Sequence, residues 1–238
     1  MRILSLDSST TSATCAILEN NNLLGEITLN DKKQHSIILM PQIDYLLKNL
    51  NLTIKDIDGF VVSKGPGSFT GLRIGIATIK GLAQGTKKPF VGISTLDALA
   101  YNLAYTSGII CPIMDALRDN VYTALYKFNG EKLERLTDYM AIHIDELISI
   151  IKKYEPSNIT FIGDALPKFS AKLRESFEKV NLAPIHLNVA KASSLGELGL
   201  LSLLNGHSDN ILSFSPIYIR KPQAEREYEN RTGMSVDE

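Results

Sequence analysis

Two stretches of the sequence carry side chains that could bind a phosphate. The first, Asp7-Ser8-Ser9-Thr10, directly follows an apolar run that predicts a strand. Ligands of α/β folds usually bind at the carboxyl ends of strands, where hydroxyls and backbone amides could hold a phosphate and Asp7 could reach a metal-bound water. The alternative is that these side chains only cap a hairpin turn.

The second stretch is the segment 64–71, with the sequence KGPGSFTG. A buried strand at 59–63 precedes it and a helix with many small residues follows, so two glycines around a proline predict a sharp turn. Thr70 is the expected cap of that helix. The turn is either a tight strand-to-helix connection or an anion cradle at a helix N-terminus.

The sequence identifies no catalytic residue and no metal ligand. The four histidines have neither HxxxH nor HExxH spacing, and no Gly-x-Ser-x-Gly nucleophile motif is present. Cys15 and Cys111 are far apart in strand-like runs, which predicts buried core thiols. Asp7 and Asp115 each end a predicted strand, but spacing alone gives no distance between them.

Composition limits the classes of function. The chain has 238 residues, 44% of them hydrophobic, and a formal net charge of −1. This length allows one large domain or two small ones, and near-neutral charge disfavours direct nucleic-acid binding, so any contact with RNA is expected to run through a partner. No apolar run approaches the roughly 20 residues of a membrane span and the N-terminus lacks a signal peptide, so we expect a cytoplasmic protein without membrane contact.

The order of predicted elements indicates an α/β fold whose second half repeats the first. The first half, up to about residue 106, has a three-stranded meander, a helix at about Ser36–Leu50 and then alternating strands and helices, with the last helix capped by Ser94. Residues 107–219 repeat the order, with a strand at 121–128, a hairpin at Asn129-Gly130 and a short strand near 185–187. A helix at 194–205, with a capping box of Ser194 and Glu197, is expected to pack back on the first half, and 220–238 is predicted to be a polar tail.

The helix after the 64–71 turn has three faces by helical projection. Leu72, Ile76, Ile79 and Ala83 should pack on the sheet, whereas the face with Arg73 and Lys80 should be solvated. A third face is small or apolar and uncharged; its residues are Gly71, Ile74, Gly75, Thr78 and Leu82. Together with Ile38 and Tyr45 of the preceding helix, this face is predicted to be a helix-to-helix protein interface; burial inside one domain is the alternative.

Several segments together resemble the TsaB (YeaZ) family over nearly the whole chain. They are ILSLDSST, the helix with His35 and Leu39-Met40-Pro41, GPGSFTGLRIGIATIKGLA, PFVGISTLDALA, MDALRDNVYTALY and PIYIR. The resemblance implies a two-lobed, actin-like and ribonuclease-H-like duplication, with a mixed sheet and helices in each lobe. It also implies a noncatalytic subunit of the bacterial machinery that makes N6-threonylcarbamoyladenosine at position 37 of tRNA.

The resemblance implies partners as well. The chain would bind the catalytic paralogue, TsaD, through its first two long helices, would reach the P-loop ATPase of the pathway through the TsaB–TsaD complex, and would meet tRNA only indirectly. Alone, it would form a homodimer through the same surface, and Gly75→Arg would abolish both assemblies. No cofactor is expected; any ATP would bind in the complex and not to this chain alone.

The metal-binding histidine pair of the TsaD paralogue is replaced here. The matching segment is 92–99, in which Thr95 and Leu99 stand at the two histidine positions. Neither side chain can replace an imidazole, so the resemblance implies no transferase activity. Two other functions stay open: an ATP-binding phosphotransferase that uses Asp7 and its Ser/Thr turn, and a protease that acts on TsaD.

Overall fold

A computed structural model describes residues 1–31, 35–220 and 231–232. In these residues, twelve strands form two mixed sheets and six α-helices cover them. The strands are β1 Arg2–Asp7, β2 Ser12–Glu19, β3 Asn22–Asn30, β4 Gly59–Ser63, β5 Phe90–Ile93, β6 Ile109–Asp115, β7 Asn120–Thr123, β8 Tyr126–Phe128, β9 Leu133–Arg135, β10 Met140–His143, β11 Ile159–Ile162 and β12 Val180–Leu182. The helices are α1 His35–Asn49, α2 Phe69–Thr86, α3 Thr95–Tyr101, α4 Ile144–Lys153, α5 Leu166–Ser176 and α6 Ala192–Leu204.

The first sheet has the strand order β3-β2-β1-β4-β5. The β1–β2 and β2–β3 pairs are antiparallel, whereas β1–β4 and β4–β5 are parallel. Side chains alternate between the two faces: Leu4 and Phe60 join a core with α1 and α2, and Ile3 and Val61 join a core with α6. Helix α6, although it comes from the second half of the chain, therefore packs on the first sheet.

The second sheet repeats this topology. Its order β10-β7-β6-β11-β12 has two antiparallel pairs on one side of β6 and two parallel pairs on the other. The β8–β9 hairpin, with Gly130 at φ +93° in its turn, pairs with the start of β6 and confirms the predicted Asn129-Gly130 turn. Helices α3, α4 and α5 complete the core of this sheet.

Several elements of the second half differ from the prediction. The expected strand at 121–128 is divided into β7 and β8, which pair with different parts of β6. Strands β10 and β12 were missed, and the expected strand near 185–187 is a 3-10 turn. Strands of three or four residues contain too few alternations for periodicity to reveal them.

Three predicted helix caps were wrong. Helix α2 is capped by Ser68, whose Oγ accepts from the amide of Gly71, and not by Thr70. Ser94 precedes α3 without a side-chain capping bond. Helix α6 begins at Ala192, so Ser194 lies inside it and its hydroxyl donates to Asn102 Oδ1 instead. Since Ser and Thr hydroxyls also bond to distant groups, adjacent candidates cannot be ranked from sequence.

The predicted tail at 220–238 lies outside the described residues, apart from Arg220 and residues 231–232. Within the described parts of the chain, no helix has the length and apolar character needed to cross a membrane. Cys15 and Cys111 are free and buried, which confirms their assignment as core thiols.

Candidate functional site

The turn after β1 is packed against α2 and is only partly open to ligands. Asp7 is fully buried; its Oδ1 accepts from the amide of Ser9 at 2.8 Å and from the hydroxyl of Ser9 at 2.7 Å. Burial raises the pKa of Asp7 despite these bonds. Ser8 is also fully buried and donates to the carbonyl of Gly71 at 2.8 Å. Of the four predicted phosphate contacts, Ser9 and Thr10 line the cleft between the two sheets.

The Gly-Pro-Gly turn is also engaged within the chain. The amide of Ser68 donates to the carbonyl of Ser9 at 2.6 Å, and the Ser68 hydroxyl caps α2. A Cβ at Gly67 would clash with the Ser9 backbone, so glycine is needed for this close approach. The groups expected to cradle an anion therefore join the two turns to each other.

A cleft of about 470 Å³ separates the ends of the two sheets. Its first wall consists of the turns at 9–11 and 66–69. Its second wall consists of the end of β6 with the following turn, 114–117, and Asp164. Residues 217–220 form a third side. Asp115, the predicted counterpart of Asp7, is at this cleft, whereas Asp7 lies beneath its floor. The structure therefore does not bring the two aspartates together as an acid–base pair.

The charges of the second wall are largely compensated. Asp164 Oδ1 accepts from the amide of Asp115 at 3.0 Å; burial raises the pKa of Asp164, and the nearby charge of Asp115 raises it further. Lys168 Nζ lies 3.1 Å from Asp119 Oδ1 and 3.6 Å from Asp115 Oδ1. The bond to Asp119 is the main reason that the pKa of Lys168 is raised.

A C-terminal strap, residues 209–220, crosses the edge of the first sheet and reaches the second. The amide of Asp209 donates to the carbonyl of Phe90, and its carboxylate accepts from the amide of Gly92 at 2.8 Å. The ring of Phe214 packs edge-on against Phe90 at 5.1 Å. The strap ends where Arg220 donates to the carbonyl of Ala116 at 2.9 Å. Sequence analysis missed the strap; the short apolar run at 217–219 was a signal for it.

The outer surface of α2 differs from the prediction at its glycines. The sheet-facing residues Leu72, Ile76, Ile79 and Ala83 are buried as expected. Gly71 and Gly75, however, are buried against the turn after β1: a Cβ at Gly71 would clash with the backbone of Ser8, and one at Gly75 with its hydroxyl. These two glycines therefore do not lie on an exposed face, and the expectation that they do was wrong.

A different small-residue stripe of α2 is open to solvent. Ala77, Gly81 and Gly85 are four residues apart and exposed, and a Cβ added at either glycine would meet no atom within 4 Å. Ile74, Thr78 and Leu82, which were predicted for the interface, are half-buried beside this stripe. The surface of α2 that another helix could approach closely is therefore shifted toward its C-terminal half.

Helix α1, which contacts α2, also exposes large apolar side chains. Tyr45 is 62% exposed, Ile37 66% and Met40 47%, whereas Ile38 is half-buried. Helices α1 and α2 contact each other on the first sheet. We refer to the exposed residues Ile37, Met40 and Tyr45 of α1 and Ala77, Gly81 and Gly85 of α2 as the α1–α2 face.

The residues at the predicted histidine positions are part of the interior. Thr95 and Leu99 of α3 are 1% and 3% exposed. Within residues 1–31, 35–220 and 231–232, no three His, Cys, Asp or Glu side chains are grouped as metal ligands would be.

Comparisons of the sequence with known proteins agree with one another. Residues 22–228 match the family described as "TsaD: tRNA N6-adenosine threonylcarbamoyltransferase". The tRNA threonylcarbamoyladenosine biosynthesis protein TsaB of Bacillus subtilis is 34% identical over 163 residues, which are 68% of this chain and 71% of that protein. The protein of the same name from Haemophilus influenzae is 28% identical over 233 residues, 92% of this chain and 94% of that protein.

Solved structures show the same fold. YeaZ from Pseudomonas aeruginosa superposes with a TM-score of 0.75 at 20% identity, covering 91% of this chain and 99% of that one. An activator of 2-hydroxyisocaproyl-CoA dehydratase from Clostridium difficile, solved with bound ADPNP, gives 0.51 at 12% identity, covering 88% and 100%. A hexokinase from Thermus thermophilus gives 0.50 at 12% identity, covering 87% and 100%. These neighbours support a fold like that of actin-like ATPases and sugar kinases.

Proposed function

The chain belongs to the TsaB (YeaZ) family of tRNA threonylcarbamoyladenosine biosynthesis proteins, and we propose that it serves in that pathway as a noncatalytic subunit. In this proposal it binds the TsaD-type transferase through the α1–α2 face, and it forms a homodimer through the same face when the transferase is absent. The P-loop ATPase and tRNA contact it only within the complex. No cofactor binds to this chain alone.

The α1–α2 face is the observation that carries the proposal. Ile37, Met40 and Tyr45 are exposed on α1, and α1 contacts α2, whose stripe at Ala77, Gly81 and Gly85 has no bulky side chain. Each glycine inside an exposed helix costs about 1 kcal/mol relative to alanine, so Gly81 and Gly85 weaken the isolated chain. A partner helix that packs against the stripe would offset that cost by burying the apolar side chains, at about 25 cal/mol per Å².

The noncatalytic assignment rests on the side chains around the cleft. Asp7 is buried beneath the turn, and Thr95 and Leu99 occupy the interior where the paralogue has metal-binding histidines. The rival function is an ATP-dependent phosphotransfer in the cleft, which the hexokinase-like fold favours. That reaction would require a carboxylate at the cleft to hold the metal ion that accompanies the phosphate. Asp115 or Asp164 would have this role.

The test is reconstitution with the TsaD-type transferase, the ATPase and tRNA, with and without this chain. We expect co-purification with the transferase and tRNA modification that depends on this chain. Gly81→Arg should abolish both, whereas Glu131→Arg, on the exposed β8–β9 turn, should not. Undiminished modification without the chain would refute the proposal, as would turnover of ATP by the chain alone. Cleavage of the transferase on incubation would instead favour a protease.

A further inference from the structure

Three apolar side chains surround the mouth of the cleft, and no described part of the chain covers them fully. Leu117 is 57% exposed, Tyr218 of the strap is 41% exposed, and Phe69 at the start of α2 is half-buried. The rings of Phe69 and Tyr218 lie 5.1 Å apart and tilted. All three line the same cavity. The mouth is therefore an apolar surface contributed by both sheets and the strap.

Leu117 lies in a turn with an unusual backbone conformation, and its side chain is exposed. Leu117, Arg118 and Asp119 have φ values of 63°, 52° and 59°, all in the left-handed region. This conformation costs about 1–2 kcal/mol for each residue with a side chain. Residues held in such conformations cluster at functional sites, where the surrounding structure must fix them.

The surroundings do fix this turn. Asn120 Nδ2 donates to the carbonyls of Leu117 and Arg118 at 3.1 and 2.9 Å. Lys168 pairs with Asp119, and Arg220 donates to the carbonyl of Ala116. These four interactions stabilise a turn in which a leucine is exposed at the cleft. A turn with only a structural role would not require an exposed leucine.

Two arginines lie next to residues that line the mouth: Arg73 contacts Phe69 and Tyr218, and Arg118 follows Leu117 in the chain. Arg73 has its Cζ 3.9 Å from the centre of the Phe69 ring and donates from Nε to the Tyr218 hydroxyl at 3.2 Å. Across the described residues, no carboxylate lies within 4.0 Å of the guanidinium of Arg73 or Arg118. Asp115 and Asp119 are paired with Lys168. Aromatic and arginine side chains are those that most often carry the binding energy of protein interfaces.

The mouth is continuous with the α1–α2 face. Arg73 precedes Ala77, Gly81 and Gly85 at the same four-residue spacing and is exposed like them, so one side of α2 runs from the mouth to the end of the helix. A protein bound along this side of α2 would reach the cleft at the helix N-terminus.

We propose that the mouth of the cleft is a second contact for the same transferase partner, and that it receives a peptide segment of that protein. An apolar side chain of the segment packs on Phe69, Leu117 and Tyr218, and a carboxylate pairs with Arg73 or Arg118. The inference rests on the proposed function, because it assumes that the partner lies along α2. It adds that the cleft binds a protein segment and not a nucleotide.

The test compares Leu117→Asp with Ile185→Asp, a matched change at a residue that is 89% exposed and lies outside the cavity. Affinity for the full-length transferase is measured by calorimetry, with thermal unfolding as the check of folding. We expect Leu117→Asp to weaken binding at least tenfold and Ile185→Asp less than twofold. Arg118→Glu, which removes no side-chain bond of the turn, should also weaken binding severalfold.

The outcomes separate the two proposals. If Leu117→Asp and Arg118→Glu bind like the wild type while Gly81→Arg does not bind, the mouth is not a contact and the function proposed above stands. If Gly81→Arg also binds normally, both proposals fail. A last experiment titrates the chain alone with ATP and Mg²⁺. If the wild type binds ATP and Leu117→Asp does not, the mouth is a nucleotide site and the inference is overturned.

Discussion

The hydroxyl of Ser8 donates a 2.8 Å hydrogen bond to the carbonyl of Gly71. This bond joins the turn after β1 to the first turn of α2, and Ser8 fills the space that a Cβ at Gly71 or Gly75 would need. The two glycines therefore let a strand end and a helix approach each other closely. Because this contact covers Gly71 and Gly75 within the chain, we place the proposed partner surface at Gly81 and Gly85 instead.

Arginine substitutions at Gly75 and Gly81 should have opposite effects. Gly75→Arg should unfold or strongly destabilise the chain, by about 3 kcal/mol or more, because a side chain there collides with Ser8 and Leu6. Gly81→Arg should leave the melting temperature unchanged or slightly higher and should remove the homodimer. Circular dichroism and size-exclusion chromatography measure the two effects. A folded, monomeric Gly75→Arg chain would contradict this assignment of the two glycines.

Asp7→Asn should stabilise the protein increasingly as pH rises. Burial raises the pKa of Asp7, so the folded state holds this proton more tightly than the unfolded state. The wild type therefore loses stability as pH rises above the unfolded pKa, at about 1.4 kcal/mol per unit of pKa shift, whereas Asn cannot ionise. Urea unfolding of both proteins at pH 4, 5.5 and 7 should show a widening difference. A constant difference would mean that Asp7 is ionised without penalty.

Asp97→Ala should cost about 3 kcal/mol of stability. Asp97 on α3 accepts from the hydroxyl of buried Tyr126 at 2.7 Å and from that of Tyr139 at 2.9 Å. Removing the carboxylate leaves a buried hydroxyl unpaired and loses two bonds to a charged group. Asp44→Ala, which breaks only an exposed pair with Lys48, should cost about 0.5 kcal/mol or less. Equal losses in denaturant titrations would refute the role of Asp97 in joining α3 to β8.

Gly92→Ala should loosen the C-terminal strap. A Cβ at Gly92 would clash with the ring of Phe214, which packs on Phe90. We expect a loss of about 1–3 kcal/mol and faster hydrogen exchange at the amide of Ile217, which donates to Lys64. In the control, Gly85→Ala, the new methyl group meets nothing and should stabilise α2 by about 0.5–1 kcal/mol. Unchanged exchange in Gly92→Ala would show that the ring moves without the strap.

Local patterns predicted much of the fold. The α/β class, the strands of the first sheet, the extent of α1 and the Asn129-Gly130 hairpin follow from periodicity and turn residues, and the structure confirms them. The short strands β10 and β12 were missed, because their pairing with β7 and β11 involves partners 17 to 23 residues away and not a local pattern. The strap was missed because its contacts are with β5 and α2, more than 100 residues earlier.

For the partner surface, the residue pattern of α2 predicts one side for the sheet and small residues elsewhere, because a 3.6-residue period is a local property. Which of the small residues are covered depends on contacts with distant parts of the chain. Ser8 contacts Gly71 and Gly75, which lie 63 residues or more further along the chain, whereas Gly81 and Gly85 stay open. The cause is the β1–β4 pairing, because it brings the two turns together. In the same way, Asp7 and Asp115 end equivalent strands, but Asp7 is fully buried whereas Asp115 lies at the cleft.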